Sequence, residues 1–335
     1  MLTIIIPSYK REYFLNKCIL SIISQFNSNV LKKNIKLIII LNSKKNSLTE
    51  KIENKIKRKK LLYKFIYNKK NIGLTGSINK SVKISDTKYC MIIDDEIILK
   101  KRSVSELYNF LKDKSPKLLV GRILPYLDKK NLNIDKKNYL LSLKKNIRKD
   151  KYQKDYTLLD FGTKIKKIET KYAFMSLQVF NKDEYLKFGG YAPDGMSGEK
   201  IFMNGHGENS FNSKFKLAFY FPKLTGYHAI DNKIYKDYIN ERYFLYGIND
   251  SFIDIRSKNN FFLLKNLIKS YLKIIYFNKE NKKYYFNKGY FMHLLNFYLS
   301  GSKFRKYCLS ESYIDFNFSE KFNLFPFKEG SYKLW

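Results

Sequence analysis

Cysteine is scarce. Cys18, Cys90 and Cys308 are the only three in 335 residues, odd in number and far apart, which excludes a disulfide framework and a cysteine-built zinc site. Long apolar runs are missing too: no segment approaches the ~18 consecutive uncharged residues that a membrane-spanning helix needs. Acidic residues are outnumbered, 30 Asp and Glu against 65 Lys and Arg, for a net charge of +35. Such an excess favours phosphate-bearing partners or anionic surfaces. The lysines are dispersed, however, and Lys, Ile, Asn, Tyr and Phe are abundant together, as AT-rich coding sequence produces. Nucleic acid is therefore not an expected partner, whereas an anionic membrane surface or a phosphorylated substrate is compatible with the charge. With 44% hydrophobic and 17% aromatic residues the chain has ample apolar surface to fold. Met1 leads straight into strand-like sequence with no basic leader, so the expected location is cytoplasmic, with peripheral attachment at the inner face of a membrane as the extension of that reading.

Strand and helix signals alternate from the start. LTIIIP (Leu2 to Pro7) and IKLIIIL (Ile35 to Leu41) read as strands buried on both faces, and LLYKFIY (Leu61 to Tyr67) and YCMII (Tyr89 to Ile93) follow. Between the first two, Phe14, Cys18 and Ile22 with Leu15, Ile19, Ile23 and Phe26 form one broad apolar helix face. SLTE (Ser47 to Glu50) and SVSE (Ser103 to Glu106) offer capping boxes for later helices. Four alternations predict an α/β fold with a doubly wound, mostly parallel sheet. Ligands bind such sheets beyond the carboxyl ends of the strands, where Pro7 to Arg11, Asn42 and Asp94 to Glu96 would gather. Residues 126–160 read as a polar, Lys-rich surface excursion. KLAFYF and TGYH read as separate segments, and no internal repeat is present.

The most informative residues are the three acids Asp94, Asp95 and Glu96, which directly follow the buried YCMII run in a chain poor in carboxylates. Adjacent carboxylates leaving a buried strand repel one another and cost desolvation unless a positive charge faces them. A divalent cation shared with a substrate diphosphate meets that need; a solvated turn whose acids cap the next element is the alternative.

TIIIPSYKR, SIISQ, NIGLTGSINKSV, YCMIIDDE, FGGYAPDG, GHGENSF and YH occur in the order and at about the spacing found in family 2 glycosyltransferases, and the sequence resembles that family over about residues 2–230. The resemblance implies a GT-A-type fold in which residues 1–231 form the catalytic domain, with a nucleotide-sugar half (1–100) and an acceptor half (101–231). It also implies a nucleotide-diphospho-sugar donor, Mn²⁺ or Mg²⁺, and transfer with inversion to a glycan or lipid-linked acceptor in surface polysaccharide synthesis. Carried over by motif, Pro7, Tyr9 and Arg11 contact the nucleotide, and Asn71, Gly73 and Asn79 shape its pocket. Asp94 and Asp95 face ribose and phosphates, and Asp94, Glu96 and His228 hold the metal. Glu96 stands where an aspartate is usual.

An inverting transfer needs one carboxylate to take the acceptor proton. The family's acidic pair is here Glu208-Asn209, and an amide cannot accept that proton. Three readings stay open: Glu208 is the base, Asp194 contributes, or the chain is an inactive nucleotide-sugar binder. GINDSFIDIR (Gly247 to Arg256) looks like a second acidic pair but falls after His228, out of the family's order. After strand two, Asn42 stands in the stretch where an aspartate usually reads the base; its amide offers a donor and an acceptor, which leaves UDP, GDP and dTDP sugars undistinguished.

Residues 232–335 form a helical, aromatic and basic region. Within it Phe261, Phe262, Leu264, Leu267, Ile268, Tyr271, Leu272, Ile274 and Ile275 mark an apolar face beside Lys265, Lys269 and Lys273. That pattern suits a helix at an anionic membrane interface, or one packed on the catalytic domain.

Overall fold

The computed structural model of the protein describes residues 1–69, 71–127, 134–192, 206–230, 236–299 and 302–314. Strand and helix alternate as the sequence predicts: β1 (Leu2–Ser8), α1 (Glu12–Ile23), α2 (Asn29–Asn34), β2 (Ile35–Leu41), α3 (Ser47–Arg58), β3 (Leu62–Tyr67), α4 (Gly73–Ile84) and β4 (Tyr89–Ile93). β1 pairs in parallel with β2 on one side and β4 on the other, and β3 extends the sheet beyond β2. Every residue of β1 and β4 is buried, which is why their sequences are almost wholly apolar, with Thr3 and Ser8 the polar exceptions in β1. β3, at the sheet edge, alternates and is half-exposed. The chain order reverses at β1, so a crevice opens beyond the carboxyl ends of β1 and β4, the switch point where open α/β sheets bind ligands.

The next elements are β5 (Ile97–Leu99), α5 (Ser103–Asp113), β6 (Leu118–Tyr126), α6 (Ile134–Asp150), β7 (Tyr152–Gln153), β8 (Leu158–Leu159), β9 (Lys166–Ile168), β10 (Leu177–Asn181), α7 (Lys182–Lys187), α8 (His206–Asn212) and β11 (Ala218–Ala229). β10 inserts antiparallel between β4 and β6, giving the main path β3-β2-β1-β4-β10-β6-β11-β5.

Several local expectations change. The α3 capping box is built by Asn46 and Thr49 rather than Ser47 and Glu50: Thr49 N donates to Asn46 Oδ1 at 2.9 Å, and Asn46 N to Thr49 Oγ1 at 3.0 Å. The α5 start has no side-chain cap, because the Ser103 hydroxyl is bonded instead to the backbone of Thr225, accepting from its N–H at 3.2 Å. That contact lies at the register shift between Phe221 and Thr225, which lets KLAFYF and TGYH form one bulged strand. Residues 126–160 are no mere excursion either. α6 buries Leu143 and Ile147 in the main core, since a four-residue apolar spacing supplies one helical contact line even in a Lys-rich stretch.

Beyond the sheet lie α9 (Lys236–Ser257), α10 (Asn260–Tyr276), α11 (Lys282–Leu299) and α12 (Ser302–Leu309). They share an apolar cluster of their own, centred on Phe244, Ile248, Phe252, Leu294, Tyr307 and Cys308. α9 and α11 touch through glycines. A Cβ on Gly247 would overlap the Phe286 carbonyl oxygen and come within 2.7 Å of Tyr290 N, and a Cβ on Gly289 would overlap the Phe244 carbonyl. Backbone cannot yield as a side-chain tip can. Gly247→Ala is therefore expected to destabilise the helical region by about 3 kcal/mol or more, outweighing the ~1 kcal/mol that Ala contributes to helix propensity. Calorimetry should show a lowered melting transition; an unchanged one would mean that the helices are not held this closely.

Candidate active site

A cleft of ≈ 630 Å³ opens at the switch point. The end of β1 contributes Pro7, Ser8, Tyr9 and Arg11; Asn42 follows β2, Asn71 precedes α4, and Asp94, Asp95 and Glu96 follow β4. Glu208 and Asn209 enter from α8. Nine residues singled out in the sequence thus line one cleft although they come from positions 7 to 208.

The three acids have three different surroundings. Asp94 lies on the cleft wall. Asp95 turns inward: it is 5% exposed, and the Ser8 hydroxyl donates to its Oδ2 at 2.5 Å. Burial pushes the Asp95 carboxyl up to about 7, against the opposing pull of Arg11 and the Ser8 hydrogen bond. Glu96 sits between two basic groups. Its Oε1 contacts His228 Nε2 at 2.9 Å and its Oε2 accepts from Arg11 Nη1 at 3.1 Å. Arg11 Nη1 also lies 3.5 Å from Asp95 Oδ1. Burial works against the Arg11 charge, but Glu96, Asp95 and Asp94 outweigh it and its pKa is raised. Half of the Arg11 side chain remains exposed and it lines the cleft while anchored to the acids.

Four predicted site residues do other work. His228 is buried at 1% exposure, with Nδ1 against the Tyr156 carbonyl at 3.0 Å and Nε2 on Glu96. Both ring nitrogens face oxygens, so the imidazole orients Glu96 instead of reaching the cleft itself. Asn42 presents nothing to a base. Its Nδ2 donates to Gly73 O and Ser77 Oγ, and its Oδ1 accepts from Asn68 Nδ2 and Ile72 N, which exhausts an amide's capacity. Gly73 lies behind that amide at φ +77, a conformation that favours glycine and makes the turn into α4. Asn79 is fully buried away from the cleft: Tyr191 N and the Tyr185 hydroxyl donate to Oδ1, and Nδ2 donates to the carbonyls of Tyr191 and Tyr313. It ties the returning carboxyl-terminal chain to α4. Asp194 lies outside the described residues.

Asn71 differs from Asn42. Its Oδ1 accepts from Gly73 N at 3.0 Å, while its buried Nδ2 has no partner among the described residues. Glu208 is held by the backbone, Met175 N donating to its Oε1 at 2.8 Å. Sequence reasoning gave Ser8 a place at the strand end but no role, and missed the Met175 amide and the α9 side chains Tyr246 and Asn249, which also line the cleft. Ser8 had a signal, its place in PSYKR beside two chosen residues; the Met175 amide had none.

Among the described residues no three His, Cys, Asp or Glu groups are gathered at metal-binding distance. The donor chemistry nonetheless suits a hard divalent ion. Asp94 and Glu96 offer carboxylate oxygens on one wall, and Glu96 is oriented by a histidine as outer-shell groups orient metal ligands.

Residues 3–186 match the family model described as "Glycosyl transferase family 2". No curated protein matches the chain. Among solved structures, the chain is similar to TarS residues 1–349 of S. aureus, at 10% identity and a TM-score of 0.49 over 91% of this chain and 77% of that one. The mannosyltransferase PcManGT from Pyrobaculum calidifontis, solved with GDP-Man and Mn²⁺, gives 10% identity and a TM-score of 0.48 over 89% and 71%. GalNAc-T7 with UDP, GalNAc and Mn²⁺ gives 12% identity and 0.47 over 75% and 50%.

Proposed function

The chain belongs to glycosyl transferase family 2, and from that premise we propose that it is an inverting, metal-dependent enzyme that moves a sugar from a nucleotide-diphospho-sugar to a hydroxyl of a glycan or lipid-linked acceptor in surface polysaccharide synthesis. The observation that carries this reading is the convergence of Asp94, Asp95, Glu96, Arg11 and Glu208 on a single cleft.

The nucleotide lies at the β1 end of the cleft. Tyr9 offers a ring to the base, and the unpartnered Asn71 Nδ2 offers a donor to a base carbonyl. Asp94 and Glu96 would hold Mn²⁺ or Mg²⁺, with His228 keeping the Glu96 carboxylate in place. The ion, when bound, neutralises charge developing on the leaving diphosphate. Arg11 adds a guanidinium on the same side, a group whose fork suits phosphate oxygens. Glu208, positioned by Met175 N, takes the acceptor proton. That role makes the Asn209 substitution compatible with activity.

Thermal-shift measurements with UDP, GDP and dTDP, each with and without Mn²⁺, test the donor side. One nucleotide should raise the melting temperature, more with Mn²⁺ than without. A flat response to all three would overturn the donor assignment.

The α10 surface supports a peripheral membrane role. No helix among the described residues is long and apolar enough to cross a membrane, yet Phe261, Ile268, Ile275 and Tyr276 are 62–84% exposed on one helix. Lys265 and Lys269 lie beside them, also exposed, so apolar insertion and attraction to anionic headgroups act together. Burying an exposed Ile contributes about 1.5–3 kcal/mol. The pair Ile268→Glu and Ile275→Glu should therefore weaken co-sedimentation with phosphatidylglycerol vesicles by more than about tenfold. Unaltered sedimentation, or equal binding of wild type to phosphatidylcholine vesicles, would remove this role.

A further inference from the structure

GINDSFIDIR, the acidic-pair look-alike that the family's order rejects, forms the middle of α9. Its polar side chains are not scattered. Tyr246, Asn249 and Ile253 line the catalytic cleft, while Asp250, Ile253 and Asp254 line a second cavity of ≈ 440 Å³ that also involves α10 and α11. Positions 246, 249, 250, 253 and 254 fall on one helical stripe. The other side of the helix, with Phe244, Ile248, Phe252 and Ile255, is spent on the apolar cluster. Ile253 lines both cavities, so the two meet at one residue of the stripe. From Tyr246 to Asp254 it spans about 12 Å at the rise of an α-helix, longer than a single sugar ring.

The chemistry of the stripe suits hydroxyl groups. Asn249 is 2% exposed and faces the cleft, yet its Oδ1 has no hydrogen-bond partner among the described residues. A buried acceptor without a donor costs about 1–3 kcal/mol, a cost that a ligand O–H removes. In the second cavity the Tyr290 hydroxyl donates to Asp254 Oδ2 at 2.7 Å and accepts from Asn266 Nδ2 at 3.2 Å, which fixes the carboxylate. Lys269 and Lys273 stand on the α10 wall. Mixed carboxylates, amides and ammonium groups match hydroxyls, which donate and accept at once.

We propose that this stripe of α9 is the acceptor-binding edge of the enzyme and that the acceptor is an oligosaccharide of more than one unit. Its terminal residue meets Asn249 in the cleft, and the following units pass Ile253 to reach Asp250 and Asp254. The inference rests on the transferase reading, since it takes the cleft as the site of sugar transfer.

A printed array of microbial surface oligosaccharides, each beside its terminal monosaccharide, tests it with the full chain and its Asn249→Ala and Asp250→Asn variants. Asp250 lies exposed in the groove, so its substitution probes recognition without disturbing the helix core. Wild type should retain some oligosaccharide above its monosaccharide, and each variant should lose that signal by about tenfold or more. No preference for the longer glycans, or equal signal from wild type and both variants, overturns the proposal. The nucleotide melting shift of wild type separates the two ideas: a shift without glycan preference condemns the acceptor edge alone, whereas no shift with any nucleotide condemns the donor reading as well.

Discussion

Glu208→Gln is expected to lower sugar transfer by about 10²–10⁴-fold, the usual contribution of a positioned proton acceptor, while leaving the nucleotide melting shift intact. The amide fills the same volume, and its carbonyl oxygen can still accept from Met175 N, so the local structure should hold. What disappears is the ability to take a proton as the new glycosidic bond forms. Glu208 stands on α8, a different element from everything proposed to contact the donor. Its loss should therefore appear in turnover rather than in donor affinity. Transfer at wild-type rate in Glu208→Gln would sink the base assignment and return the role to Asp194 or to another group. The neighbouring Asn209→Asp variant separates the roles further. Were Asn209 a lesion, restoring the carboxylate would raise activity from near zero; with Glu208 as base, wild type is already active.

Glu96→Ala is expected to remove the Mn²⁺ dependence of the nucleotide melting shift and to cost at least about 100-fold in turnover, as losing a metal-side carboxylate and its supporting shell does. The magnitude follows from how much meets at this side chain. One oxygen is held by His228, the other by Arg11. Truncation leaves the buried imidazole without its carboxylate and leaves Arg11 with Asp95 at 3.5 Å as its remaining close acid in the cluster. Glu96→Gln distinguishes charge from shape, since it preserves the volume and one acceptor oxygen but not the negative charge. Metal dependence should fall in both variants. A shift that still responds fully to Mn²⁺ in Glu96→Ala would place the ion elsewhere, or leave neutralisation of the diphosphate to Arg11.

Much of this protein was legible in one dimension because its signals are local. β1 and β4 are almost wholly apolar, as strands buried on both faces tend to be, and the charge that follows Ile93 breaks such a run too sharply to be incidental. The seven ordered motifs were enough to indicate the family and to collect the acids and the β1 end of the cleft, but not the lining from residues 152–176 or from α9. Local pattern was less reliable wherever two neighbouring residues competed for one duty, as when Asn46 and Thr49 displaced Ser47 and Glu50 at the start of α3.

Only the tertiary structure decided what each polar side chain does. Asp94, Asp95 and Glu96 are adjacent in sequence, yet one faces the cleft, one turns in to Ser8, and one is shared by Arg11 and His228. Asn42, Asn71 and Asn79 read alike as nucleotide contacts. Asn42 is consumed by the turn before α4, Asn79 is consumed by Tyr185, Tyr191 and Tyr313, and Asn71 alone of the three keeps a buried unpartnered donor. The arrival of α9 at the cleft, from a fragment that the motif order excluded, was equally invisible. The apolar period of an element is written in its own residues, so sequence by itself determined the strands, the sheet and where the acids fall. A buried polar group must be paired with whatever the fold brings within about 3 Å, and those partners lie up to 234 residues away along the chain.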